Sequence, residues 1–398
     1  MCVEQKNERT AAVEIAQVFR QHGDHYCLEN KLTPEQYKVM NAIKNCRTRV
    51  LGGHMEQCDY CLGIQCSYNS CRNRHCPKCE SFKAAQWIED RKAELLPVPY
   101  FHVVFTLPHE LNNTILYNKK ILYNLLFQAA WKALNTLGED KNRLGGEMGM
   151  IAILHTWSQT LSQHNHLHCI VPGGALKANG QWQSAKKYLF PVKVLSKLFR
   201  RFYVAGLREI VEKNGLKLPD QLTDSLTSLN VDQWLNELMS KEWVVYAKPP
   251  FAGPEKLLNY LARYTHKIAI SNHRILACDD EFVTFQWRDY SDENKIKIMQ
   301  LKPQEFIRRF LSHVLPDGFI RIRGFGFLAN ACKAKKVKII QEQLHYQPKK
   351  STKDRSIAER MLELTGQDIT LCPLCKKGHL KRISDIPSQL NKTMTDTS

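Results

Sequence analysis

The chain has 398 residues, of which 43% are hydrophobic and 24% charged, the proportions of a globular protein with room for two or three domains. Its net charge of +18 creates a positive field that attracts polyanions, nucleic acid first among them. No run of about 18 apolar residues occurs and the N-terminus mixes acids with bases, which excludes a membrane-spanning helix and a signal peptide and places the chain in the cytoplasm.

The first fifty or so residues read as helical. In LTPEQYKVMNAIKNC, Pro34 stands at a helix start, and Tyr37, Met40 and Ile43 recur at helical spacing. Six cysteines follow within 22 residues: Cys58, Cys61, Cys66, Cys71, Cys76 and Cys79. A cytosolic chain keeps thiols reduced, so such a cluster points to metal. Cys58-x2-Cys61 and Cys76-x2-Cys79, with 14 residues between them, are expected to hold one structural zinc in a closed tetrahedron. His54, Cys66, Cys71 and His75 stand by as alternative ligands. Arg72, Arg74 and Lys78 lie among the ligands, and bases on a metal-pinned loop suit DNA phosphates. KAAQWIEDRKAELLP then reads as a helix ending near Pro97.

YFHVVFTLP (100–108) carries a strand signal, stopped by proline. Helix is expected from Leu111 to Leu137. MIAILHTW (150–157) and HLHCIVPG (166–173) read as strands, and the short polar link between them suits an antiparallel pair. Residues two apart on a strand share a face, so His166 and His168 present two imidazoles side by side, a platform for a divalent metal. His164 continues the alternation. Gln159 or His155 can supply a third ligand and leave positions open for substrate oxygens. Histidine-x-histidine strands also occur in histidine-triad nucleotide hydrolases, but Asn165 breaks that pattern, and the reading leaves the cysteines and the charge unexplained.

Residues 190–240 read as mostly helical, and EWVVYAKPP as a short strand. GPEKLLNYLARYTHK (253–267) is expected to be a helix, with Pro254 in its first turn. One face then carries Tyr260, Arg263, Tyr264 and Lys267, two phenols a turn apart beside two cations. RILACDDEFVTFQWRDY reads as a hairpin around Asp279 and Asp280. From Ala331 the chain is a lysine-rich tail that ends in a polar, disordered segment and carries CPLCKKGH, a partial metal site of Cys372, Cys375 and His379. The element order indicates an α+β class, an antiparallel sheet with a helical insertion.

A phenol attacks a phosphodiester well when a metal polarises the phosphoryl oxygen and cations lower its pKa. The phosphotyrosine ester conserves bond energy, so a cut strand is rejoined without ATP. The combination of SCRNRHCPKC, FHVVFTLP, HNHLHCIVPGG, YLARYTHKIAISNHR and EFIRRFLSHVLPDGFIRIRGFGFLAN resembles the two-tyrosine HUH transposases of rolling-circle insertion sequences, the IS91 family, which carry an N-terminal zinc-binding domain. That resemblance spans roughly residues 20–335. It implies the HUH endonuclease fold, an antiparallel sheet flanked by helices, and nicking and joining of single-stranded DNA at element ends and target through a 5′-phosphotyrosine. It makes His166 and His168 ligands of Mg2+ or Mn2+, with Gln159 preferred to His155 as the third. It makes Tyr260 and Tyr264 the nucleophiles and Lys267 a neutraliser of the phosphate, with Arg263 beside them on DNA. Three parts are expected: a helical and zinc-binding DNA-recognition domain (1–96), a catalytic domain (97–330) with its helical insertion near 190–240, and a basic tail (331–398). The alternatives are a rolling-circle replication initiator and a non-enzymatic zinc-dependent DNA-binding protein. A bacterial cytoplasmic, nucleoid-associated protein follows from the same reading.

Overall fold

The computed structural model describes residues 13–79, 87, 91, 94–185, 189–217, 228–248, 269–347 and 356–390. Two helices come first, α1 (Ile15–Glu29) and α2 (Pro34–Lys44). The second begins with a capping box: Thr33 accepts from the Gln36 amide, the Gln36 side chain accepts from the Thr33 amide, and Pro34 fills the first turn. The hairpin β1 (Gly53–Cys58) and β2 (Ile64–Tyr68) follows. Then come β3 (Tyr100–Thr106), α3 (Asn112–Tyr117), α4 (Lys119–Glu139), β4 (Gly149–Trp157) and β5 (Gln163–Pro172). A small ribbon of β6 (Gly174–Leu176) and β7 (Trp182–Ser184) leads to α5 (Val192–Glu212) and α6 (Ser228–Ser240). After β8 (Val245–Lys248) the chain forms β9 (Ile275–Cys278), β10 (Val283–Asp289) and β11 (Lys295–Leu301). It ends with α7 (Pro303–Ser312), β12 (Ile322–Gly326), α8 (Lys333–Gln343), α9 (Ile357–Thr365) and β13 (Leu380–Ile386). The helices expected at 253–267 and around KAAQWIEDRKAELLP lie wholly or largely outside the described residues.

The helix expected from 111 to 137 is two helices, because Asn118 interrupts it. The Asn118 amide nitrogen donates to the Thr114 and Lys217 carbonyls at 2.8 and 2.7 Å, and its oxygen accepts from the Lys217 amide at 2.7 Å. A side chain that bonds backbone in this way competes with the helical ladder.

The main sheet is antiparallel throughout, in the order β12-β4-β5-β3-β8, so the α+β class expected from the sequence holds. Alternation along its three inner strands sorts the side chains. Phe101, Val103 and Phe105 of β3, Met150, Ala152 and Leu154 of β4, and Leu167, Cys169 and Val171 of β5 share one buried core with α4 and α5. The opposite face carries Ile153 and Ile170, covered by Phe327, Leu328, Val337 and Ile340 from β12 onward into α8. His155, His166 and His168 lie on that second face.

A second core joins Ile15, Val18 and Phe19 of α1 and Met40 and Ile43 of α2 to Val283 and Phe285 of β10 and Phe306 and Phe310 of α7. The N-terminal helices thus share their interior with residues far beyond position 96, and the expected boundary there is not a boundary in the packing. The basic tail is also not an appendage. Its α8 covers the sheet, and β13 pairs antiparallel with β1 in a three-stranded sheet, β13-β1-β2. Backbone pairing across the length of the chain leaves no local signature, which is why the tail reads as separate in sequence.

Candidate functional site

Register brings the histidines together. His155 of β4 lies opposite His166 of β5, Ile153 lies opposite His168, and β3 flanks β5 on its other side. One ligand nitrogen from each of His155, His166 and His168 falls within 4.8 Å of the others. All three side chains are buried. Burial holds the His166 imidazole down at about 3 and the other two well below the usual value, with neighbouring imidazoles adding to the effect. At neutral pH each ring therefore keeps a lone pair to offer.

The proton positions follow from the partners. His166 Nδ1 lies 2.7 Å from the His164 carbonyl, which only accepts, so Nδ1 is the donor and Nε2 bears the lone pair. That Nε2 is 3.1 Å from His168 Nε2, and His168 Nδ1 is 2.9 Å from His102 Nε2. Two proton arrangements satisfy this chain. In one, His168 donates to His166 and accepts from His102. In the other, His168 donates to His102, and both Nε2 lone pairs face a shared point. The second is what a cation requires, and His102 Nε2 is then the acceptor that holds the His168 proton on Nδ1. The separation fits as well: ligand bonds of about 2.1 Å at right angles place neighbouring ligand atoms about 3.0 Å apart.

Gln159, the preferred third ligand in sequence, has its amide nitrogen engaged elsewhere. It sits in the turn after β4, where the register shifts past His155, and its Nε2 donates to the Tyr290 hydroxyl at 3.2 Å. His155 is the third imidazole beside His166 and His168. Tyr260, Arg263, Tyr264 and Lys267 lie outside the described residues.

The cysteines divide differently from the expected set. Cys76 and Cys79 meet Cys46 and Cys71, whereas Cys58 and Cys61 meet Cys372 and Cys375. Zinc–sulfur bonds of about 2.3 Å in a tetrahedron place sulfurs about 3.8 Å apart. In the first group Cys79 Sγ is 3.6 Å from both Cys46 and Cys71 Sγ, so the donor set fits zinc. The four expected ligands cannot share an ion, because the β1–β2 hairpin carries Cys58 and Cys61 away from the loop of Cys76. Cys71 was legible as a spare thiol. Cys46, at the end of α2, has no spacing to the others that a sequence reveals. His54 pairs instead with Glu56 at 3.4 Å, and His75 accepts from the Leu315 amide at 3.2 Å.

The bases of the zinc loop are mostly engaged within the protein. Arg74 donates to the carbonyls of Pro316 and Phe319, and Lys78 pairs with Glu14 at 2.7 Å. They join the loop to the rest of the chain. Arg72 is exposed and its backbone adopts φ +52°.

Comparison with known proteins adds the lineage. Residues 18–107 match a family model described as "Transposase zinc-binding domain", and residues 149–336 one described as "Putative transposase". The chain is 45% identical over 377 residues to "Putative transposase y4qJ" of Sinorhizobium fredii, covering 92% of this chain and 94% of that one. It is 28% identical over 310 residues to the transposase for insertion sequence element IS801 of Pseudomonas savastanoi pv. phaseolicola, covering 77% and 73%. Among solved structures, the conjugative relaxase TrwC in complex with mutant OriT DNA matches 41% of this chain and 71% of its own, at 13% identity and a TM-score of 0.23. A score at that level does not establish a shared fold. Cys46, Cys71, Cys76 and Cys79 all fall inside the zinc-binding match. Among the described residues no helix is long and apolar enough to cross a membrane.

Proposed function

The chain belongs to the IS91 family of transposases, and on that premise we propose that it nicks and rejoins single-stranded DNA at the ends of its element. The observation that carries this reading is the buried trio His155, His166 and His168, one ligand nitrogen of each within 4.8 Å of the others and His166 Nε2 bearing its lone pair. These three residues would hold Mg2+ or Mn2+. Bound there, the ion supplies Lewis-acid polarisation of the scissile phosphate. Three protein ligands leave coordination positions for that phosphate, whereas the four-cysteine group closes its shell.

The nucleophiles are assigned from the sequence pattern, Tyr260 and Tyr264 a helical turn apart. The phenolate oxygen of one attacks phosphorus, the bond to the 3′ oxygen breaks, and that oxygen leaves as a 3′-hydroxyl with a proton. The 5′ end stays esterified to tyrosine. Reversal of the step on another 3′-hydroxyl rejoins strands without ATP. Lys267 and Arg263, on the same predicted face, offset the phosphate charge. The first cysteine group would hold a structural zinc that fixes the DNA-recognition loop.

The test is an adduct assay. Protein, magnesium or manganese, and single-stranded DNA from the element ends should give a denaturant-resistant protein–DNA species. Replacing both Tyr260 and Tyr264 by Phe should abolish it. An adduct that persists in that variant refutes the tyrosine assignment. Tight binding with no adduct under any condition leaves a zinc-dependent DNA-binding protein instead.

A further inference from the structure

Cys58 and Cys61 lie inside the zinc-binding match, but Cys372 and Cys375 lie beyond residue 336, outside both matched segments. We propose that these four cysteines bind a second structural zinc, which clasps the C-terminal strand β13 onto the N-terminal hairpin. The donor geometry fits: Cys58 Sγ is 3.7 Å from Cys375 Sγ, and Cys61 Sγ is 3.8 Å from Cys372 Sγ.

Both halves are turns built to present thiolates. The amides of Tyr60 and Cys61 point at Cys58 Sγ from 3.4 and 3.5 Å, and the Gly378 amide points at Cys375 Sγ from 3.4 Å. N–H groups directed at sulfur stabilise its anionic form, the form that binds metal. The turns also touch one another directly. The Asp59 amide donates to the His379 carbonyl at 3.0 Å, and the His379 amide donates back to Asp59 Oδ1 at 2.8 Å. Gly378 has no room for a side chain: a Cβ there would lie 2.6 Å from Cys58 Sγ and 2.5 Å from Tyr60 Cβ. Gly52, at φ +67°, allows an equally close approach at the far end of the ladder, where a Cβ would lie 2.5 Å from the Ile386 carbonyl oxygen.

A clasp is needed because the strand has little else to hold it. Five of the seven residues of β13 are exposed, and its pairing with β1 is broken by a bulge between Met55 and Glu56. Exposed ladder bonds contribute little net stability against water, while closing a loop of about three hundred residues carries a substantial entropic cost. Metal–thiolate bonds supply what apolar burial does not. His379, the third candidate of the C-terminal motif, is outside the group, with its Nδ1 3.2 Å from Thr370 Oγ1.

The experiment is metal counting on the full-length protein. Wild type should contain one zinc equivalent more than Cys372→Ser/Cys375→Ser. Trypsin should cut the variant after Lys381 or Arg382 and leave wild type intact there until a chelator is added. Equal zinc content in wild type and the double variant, or a disulfide between Cys58 and Cys375 found by mass spectrometry, would overturn the clasp. If the double variant does not fold, Cys375→His substituted with cobalt asks the same question. It should keep both cysteine-bound ions and lose one of eight thiolate contributions to the charge-transfer absorption; an unaltered spectrum would refute Cys375 as a ligand. None of these readouts depends on DNA cleavage.

Discussion

The histidine centre and the cysteine centres invite a direct comparison. The histidines sit on paired strands in the middle of the sheet, with a core of leucine, phenylalanine and valine directly behind them. That sheet would place them with or without an ion. The cysteines sit on turns at helix and hairpin ends, and their partners come from separate parts of the chain. There the fold and the metal depend on each other. A prepared site with three ligands suits chemistry, and a closed site with four suits architecture.

The sharpest way to break this comparison is at its catalytic side. His168→Ala should reduce adduct formation on the order of 10³-fold while thermal unfolding stays nearly unchanged. A large fall in melting temperature would mean that the histidine centre is architectural after all. The next effect concerns the partner that holds the His168 proton on Nδ1. His102→Ala removes the acceptor 2.9 Å from His168 Nδ1, and manganese affinity measured by calorimetry should weaken roughly 10–100-fold. Equal affinities would separate His102 from metal binding.

A smaller effect distinguishes a buried histidine that lies beside the centre without belonging to it. His313 Nε2 donates to the Leu161 carbonyl at 2.9 Å, and its Nδ1 accepts from Thr156 Oγ1 at 3.2 Å. Burial draws its pKa from the usual 6.5 down to about 4. The unfolded chain takes up this proton below pH 6.5 and the folded chain does not. His313 therefore leaves stability unaffected above pH 6.5 and lowers it as pH falls from there toward 4, by about 1.4 kcal/mol per pH unit. Urea unfolding of wild type and His313→Gln at pH 7, 6 and 5 should show a shallower pH slope in the variant; identical slopes would contradict a neutral His313. The smallest effect tests the zinc loop. Lys78→Ala, which loses the pair with Glu14, should cost at most about 1 kcal/mol of stability and leave the salt dependence of DNA binding unchanged. A slope reduced by about one would return Lys78 to the DNA.

Much of this protein was determined by sequence alone, and the reason is periodicity. Alternation along YFHVVFTLP, MIAILHTW and HLHCIVPG sets both the strands and the face on which the histidines lie. A two-residue repeat needs no knowledge of the partner strand. Tyr260 and Tyr264 rest on a helical repeat in the sequence and lie outside the described residues. Tertiary structure decided what depends on register and on meetings between distant segments. His155 meets His166 because antiparallel pairing sets the two opposite one another, whereas spacing along the chain counts residues and not rungs. Arg74 and Lys78 turned inward because the loop that bears them meets residues 316–319 and Glu14. The four expected zinc ligands separated into two groups because each CxxC turn offers only half a tetrahedron. Which half completes it depends on how the chain folds back, and Cys58 finds Cys375 across 317 positions.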